Sequence, residues 1–256
     1  MINCIRIKYV FITVLMLFAV HGFSGDYQQL IKQANKDYSA GEYNKAISGY
    51  EKVISQGYTA AELYYNLGNA YFKINDYPSA ILFYEKACKL KPNDDYIETN
   101  LKIANSKIID KIEPIPHLFY KRWWLSAQNR FTLNGWAVCI IITSVLFCLF
   151  AGIYLVSAKL IFRKTAFWSA ILLLFVTLLS FTLAFQRYNS IRNQQEGIVF
   201  SPTITVKSSP DANSTDVFVI HEGTKVVITD RLDSWVEIKI ANGNVGWIQK
   251  ELLKTI

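Results

Sequence analysis

Asn35 and Asn69 stand 34 residues apart, and so do Asn66 and Asn100. A carboxamide carries two donors and one acceptor, so a row of them can hydrogen-bond an extended peptide backbone in both directions. Tyr38, Tyr65 and Phe72 add apolar contact beside them. These seven residues form the candidate peptide-binding set; the alternative is that the amides are solvated or cap local turns. Other chemistry is sparse. His21, His117 and His221 are far apart in sequence and sit in no metal or nucleophile motif. Of Cys4, Cys88, Cys139 and Cys148, two lie inside one apolar run, and the spacing suggests neither a disulfide framework nor a metal site. A Gly-rich phosphate loop is also missing from the chain. The expectation is a protein without catalytic, cofactor or metal residues, and not an enzyme.

The elements that must position the asparagines come from an internal repeat. Residues 27–60 and 61–94 align at a period of 34: Ala34 with Gly68, Asn35 with Asn69, Tyr38 with Phe72, Tyr43 with Tyr77, and Tyr50-Glu51-Lys52 with Tyr84-Glu85-Lys86. A fixed period of this length indicates stacked helix-turn-helix units. Small residues at Ala34, Ala46, Gly68 and Ala80 let two helices approach closely, and Tyr50 and Tyr84 fill the space between. Gly41 suits a helix end with φ > 0. Asp76 and Pro78 suit a helix start.

Leu67, Gly68, Tyr71, Ala80, Tyr84, Ala87 and Pro92 make the second unit resemble the tetratricopeptide (TPR) repeat. The first unit departs from that pattern, with Asp37 in place of an aromatic residue and Tyr58 in place of proline. A half-unit from Asp95 to about Asp110 is expected to cap the pair. Two repeats alone leave an apolar face exposed, since about three are usually needed, so the cap or a partner must cover it. The resemblance implies that the asparagines line the concave face. It lacks the Lys-rich pattern that family members use to clamp a C-terminal carboxylate.

Charge separates the chain into regions. The net +7 is concentrated: residues 114–195 hold 8 basic residues and no acidic one, whereas 26–113 and 196–256 are slightly acidic. Positive charge beside apolar stretches is a membrane-flank pattern and argues against nucleic-acid binding. Residues 1–24 carry Arg6 and Lys8 before an apolar core of about a dozen residues, which suits a secretory signal peptide or an uncleaved N-terminal anchor. Residues 136–158 and 165–186 are uncharged runs long enough to span a bilayer, joined by a basic loop at 159–164. The segment 111–135 contains Pro114 and Pro116, then Phe119-Tyr120-Lys121-Arg122-Trp123-Trp124, a composition that suits the headgroup level. An amphipathic helix packed on the repeats is the alternative. An exported residue 25 onward places the repeats outside the cytoplasm, and two crossings return the C-terminal region to the same side.

Residues 196–256 alternate short β-rich runs with turns, and Asn242-Gly243 suits a hairpin, so a small antiparallel barrel is expected. Val206-Lys207-Ser208-Ser209-Pro210, Glu222-Gly223-Thr224, Trp235-Val236-Glu237-Ile238 and Gly246-Trp247-Ile248 resemble the bacterial SH3 (SH3b) domain. That resemblance implies an extracytoplasmic module binding cell wall or peptide. Trp235 and Trp247 are its candidate groove, or else core residues.

The expected architecture is therefore multidomain: signal (1–24), α-helical TPR solenoid of two repeats plus a capping helix (27–110), linker (111–135), two-helix transmembrane hairpin (136–186) and small all-β SH3-like barrel (196–256). This order resembles the E-type component of the bacterial aerotolerance (Bat) operon. The resemblance implies a multi-pass inner-membrane scaffold with both soluble domains on the periplasmic side. Its implied partners are von Willebrand A-type and TPR membrane proteins of the same operon, with a MoxR-type ATPase. Peptidoglycan binding through SH3b, with the repeats as a spacer, is the competing reading.

Overall fold

In a computed structural model, residues 25–113, 115, 118–193 and 195–256 are described. The leader expected at 1–24, with Cys4 and His21, and Pro114, Pro116 and His117 of the linker lie outside these residues.

Two helical hairpins and a single helix follow the 34-residue period: α1 (Gly25–Ser39) with α2 (Tyr43–Ser55), α3 (Ala61–Lys73) with α4 (Tyr77–Leu90), and α5 (Asp95–Asn105). Local chemistry sets the ends. Gly41 adopts φ +81° just after α1, as its position suggests. The Asp76 side chain accepts the Ser79 amide at 3.1 Å and caps α4, with Pro78 in the first turn. Asp94 caps α5 by accepting the amides of Tyr96 and Ile97.

The hairpins close where one side is small. At Gly68 a Cβ would sit 2.7 Å from the ring of Tyr84, which is 1% exposed. In the first unit the space is exchanged, with Ala34 meeting Gly49, where a Cβ would lie 2.9 Å from the alanine methyl. Ala46, Tyr50, Val53, Leu63, Leu67 and Ala70 form the buried core between the units.

Helix α6 (Phe119–Gln128) leads into two long helices, α7 (Leu133–Val156) and α8 (Leu160–Asn193), each long and apolar enough to cross a membrane. The Thr177 and Thr143 hydroxyls lie 2.9 Å apart across the pair, with Thr177 as donor and Thr143 donating to the Cys139 carbonyl of its own helix. The expected loop at 159–164 is mostly helix. Only residues 157–159 connect the two, because Leu160–Lys164 continues the helical pattern and its long basic side chains reach solvent without breaking it. The first expected span also starts earlier, at Leu133, with Thr132 capping the Gly135 amide. At the far end α8 runs past the expected limit at 186. Its 34 residues extend about 51 Å, well beyond a hydrocarbon core of about 30 Å.

Seven strands form one antiparallel sheet in the order β3-β2-β6-β5-β4-β1-β7: β1 (Gln195–Val199), β2 (Thr203–Lys207), β3 (Asp216–His221), β4 (Lys225–Leu232), β5 (Trp235–Lys239), β6 (Val245–Gln249) and β7 (Leu253–Thr255). Gly243, at φ +94°, turns β5 into β6. Val206, Ile220, Val226, Val236, Ile238 and Ile248 fill the interior.

The barrel is not a separate bead. Ile198 of β1 is fully buried with Ala80, Ile81, Leu82 and Tyr84 of α4 and Ala104 of α5, and Phe200 and Ile256 pack on the same cluster. The apolar face that two repeats leave open is therefore covered by the chain's own C-terminal sheet together with α5. Polar contacts fix the dock. Lys225 bridges Glu85 at 2.9 Å and Glu196 at 3.2 Å. Asp110 accepts from the His221 amide at 2.7 Å and from Thr224 Oγ1 at 2.5 Å, and its carboxylate lies 2.8 Å from His221 Nδ1. Burial works to raise the Asp110 pKa, but the bonds from Thr224 and His221 outweigh it and hold the carboxyl below the usual range. The linker follows the barrel too: Ile112 packs on its core and the Ile115 amide donates to the Ala241 carbonyl.

Candidate functional site

Helices α1, α3 and α5 are successive neighbours in the helical stack, and the seven sequence-selected residues come from these three. Asn35 and Tyr38 belong to α1, Tyr65, Asn66, Asn69 and Phe72 to α3, and Asn100 to α5. They line two adjoining hollows. One, of about 190 Å³, is walled by Asn35, Tyr38, Asn66 and Asn69. The other, of about 330 Å³, is walled by Tyr38, Tyr65, Asn69, Phe72 and Asn100, with Lys73 at its edge. Tyr38 and Asn69 are common to both, so the hollows form one groove.

The amides are held from beneath. Tyr50 donates its hydroxyl to Asn35 Oδ1 at 2.6 Å, and Tyr84 donates to Asn69 Oδ1 at 2.7 Å. Both tyrosines are 1% exposed. Burial is the main reason that their hydroxyls are hard to ionise: Tyr50 is pushed up to about 12, and Tyr84 is also raised. They remain donors across the physiological range. A second rung joins neighbouring helices. Asn66 Nδ2 donates to Asn35 Oδ1 at 3.3 Å, and Asn100 Nδ2 donates to Asn69 Oδ1 and to the Tyr65 hydroxyl, both at 2.9 Å.

This network sorts the groove's polarity. The carbonyl oxygens of Asn35 and Asn69 are used internally, and their Nδ2 groups have no partner among the described residues. Asn66 and Asn100 are used through Nδ2, which leaves their Oδ1 atoms as acceptors. Each joined pair, Asn35 with Asn66 and Asn69 with Asn100, therefore offers one donor and one acceptor amide, the complement of an extended backbone. Sequence reasoning treated Tyr50 and Tyr84 as space-filling alone. The sign of their further role was there, since Asn35–Tyr50 and Asn69–Tyr84 share one spacing of 15 residues.

Trp235 and Trp247 lie elsewhere. On β5 and β6 the residues Val236, Ile238 and Ile248 point inward. Trp235 alternates with them, and Trp247 pairs in register with Glu237 on the same outer side. Both tryptophans are half-buried and neither belongs to the barrel core. His221 is committed to Asp110, and burial pushes the Cys88 thiol up to about 12, so it carries little thiolate.

The family model for the tetratricopeptide repeat matches residues 61–94, a further TPR repeat model matches 34–75, and the bacterial SH3 domain model matches 202–254. These are TPR repeats and a bacterial SH3 domain. The TPR matches cover Asn35, Asn66 and Asn69 but not Asn100 on α5, and the SH3 match falls on the sheet that carries the two outward tryptophans. Repeats of this type generally mediate protein interactions. No curated protein matches the chain.

Proposed function

We propose that this protein is a membrane-anchored interaction scaffold whose TPR groove holds an extended peptide segment of a partner protein. The observation that carries this reading is the two donor–acceptor amide pairs, Asn35 with Asn66 and Asn69 with Asn100, oriented by buried Tyr50 and Tyr84. The order of modules supports a place in an envelope complex resembling the Bat aerotolerance system. Its partners there are von Willebrand A-type and TPR membrane proteins. Two apolar helices after an export-type leader support an inner-membrane anchor with both soluble domains facing the periplasm. The test is affinity purification in gentle detergent. Asn66→Ala is the cleanest variant, because its only hydrogen bond among the described residues is the 3.3 Å contact to Asn35. Combined with Asn69→Ala, it is expected to remove the partners that co-purify with the wild-type chain. Unchanged recovery defeats the groove reading.

A second reading has its own observation. Trp235 and Trp247 face outward on the SH3 sheet and do not fill its core, which favours a ligand surface for peptidoglycan or its stem peptides. Here the full chain is sedimented with purified sacculi, with Trp235→Ala/Trp247→Ala as the comparison. Wall binding predicts pelleting that the variant loses; equal pelleting of both removes this reading.

A further inference from the structure

A recess of about 310 Å³ opens where the repeats, α6, the upper end of α8 and the barrel meet. Its distinguishing feature is Arg187, which is only 7% exposed. One guanidinium N–H donates to Asn129 Oδ1, but Nε has no partner among the described residues. Among the described residues no carboxylate pairs with it either. Of the acidic groups lining the recess, Glu85 and Glu196 are engaged by Lys225, Glu196 lies 3.5 Å from Lys89, and Glu98 lies 4.0 Å from Lys102. A buried cation with neither counter-charge nor full hydrogen bonding is costly, and such groups are normally paired.

The surroundings keep the arginine in place. Gln186, its neighbour on α8, accepts from Trp124 Nε1 at 2.7 Å and from Gln128 Nε2 at 2.6 Å, tying α6 to α8. Asn93 reaches across from the repeats to the Asn129 carbonyl. Arg187 thus has little freedom to swing out to water. It also stands just past the apolar run of α8. The neighbouring α6 exposes Phe119, Tyr120 and Trp123, side chains that favour the boundary between hydrocarbon and headgroups.

We infer that this recess is a phosphate-binding site, with Arg187 as the anchor. A guanidinium presents donors in a planar fork that matches phosphate oxygens, and Nε supplies the unused one. Lys89 and Lys225 line the same recess but are each paired with a carboxylate there, so Arg187 is the cation left to meet the ligand. Two sources can supply the group: the headgroup of an anionic phospholipid, or a soluble phosphate. The recess's level on α8 favours the lipid.

The experiment is thermal unfolding of the delipidated full chain in detergent. Phosphatidylglycerol, a diacylglycerol with the same acyl chains, and inorganic phosphate are each titrated against wild type and Arg187→Gln. The expected result is a rise in Tm with phosphatidylglycerol and not with diacylglycerol, and an apparent affinity roughly tenfold or more weaker in the variant. Without additive the variant is expected to melt no lower than wild type, because it removes an uncompensated buried charge. A shift by inorganic phosphate alone, lost in the variant, supports the site with a soluble ligand. Three results overturn the proposal: equal responses of wild type and variant, a diacylglycerol effect equal to that of phosphatidylglycerol, or no response to either phosphate source. The wild-type comparison of the three additives stands even if the variant fails to fold.

Discussion

Tyr84 links the packing of the repeats to the chemistry of their groove. Its ring occupies the space that Gly68 leaves, and its hydroxyl holds Asn69. Tyr84→Phe keeps the ring and deletes the hydroxyl, so it separates the two roles. Loss of one buried hydrogen bond predicts about 1 kcal/mol of destabilisation, measured by thermal or denaturant unfolding. Asn69 is then held only by Asn100, and partner capture is expected to weaken although none of the asparagines has been removed. Full capture by a destabilised Tyr84→Phe chain would mean that the hydroxyl serves stability alone. At this scale much was legible in the sequence. The repeat period singled out the asparagines, the small residues and the tyrosines. The hydrogen bonds between them were not legible, because they join residues 15, 31 and 35 positions apart and depend on how two hairpins stack.

Among the elements, the least expected arrangement is the barrel seated on α4 and α5. Period-2 patterning in 226–228 and 235–240 was readable as strand, whereas the sequence left open whether Trp235 and Trp247 face a groove or the core. β1 departs from that alternation: Gly197, Ile198 and Val199 are all buried, Val199 in the barrel core and Ile198 against helical residues more than 90 positions away. Asp110 connects the two parts, and its behaviour with pH is predictable. Its pKa is lowered in the folded state, so its contribution is present above the unfolded carboxyl value of about 3.9. That contribution fades as pH falls through the lower folded value. Asp110→Asn is expected to reduce stability at neutral pH and to flatten the acid limb of a Tm-versus-pH curve. An acid limb unchanged in the variant would show that the Asp110 contacts do not couple the barrel to the repeats. The short α7–α8 connection belongs to this scale too. Charge marked 159–164 as a loop, but helical continuity through Leu160–Lys164 costs nothing when long basic side chains extend into water.

The whole molecule places the repeats and the barrel at one end of the α7–α8 pair, and residues 157–159 at the other. With export of the N-terminal region, protease added to spheroplasts is expected to digest the repeats and the barrel. An epitope inserted after Ser157 should survive until the membrane is permeabilised. A protected barrel together with an accessible epitope would reverse the orientation. Periodicity, alternation and long uncharged runs by themselves determined the modules, their order and the residues of the groove, because helix, strand and span each leave a local pattern. Only the tertiary structure decided that the barrel covers the repeats' open side and that Arg187 is enclosed at the junction. Those outcomes depend on which apolar surfaces bury one another and on where a charge is left without a counter-ion. Both are set by contacts between segments far apart in the chain.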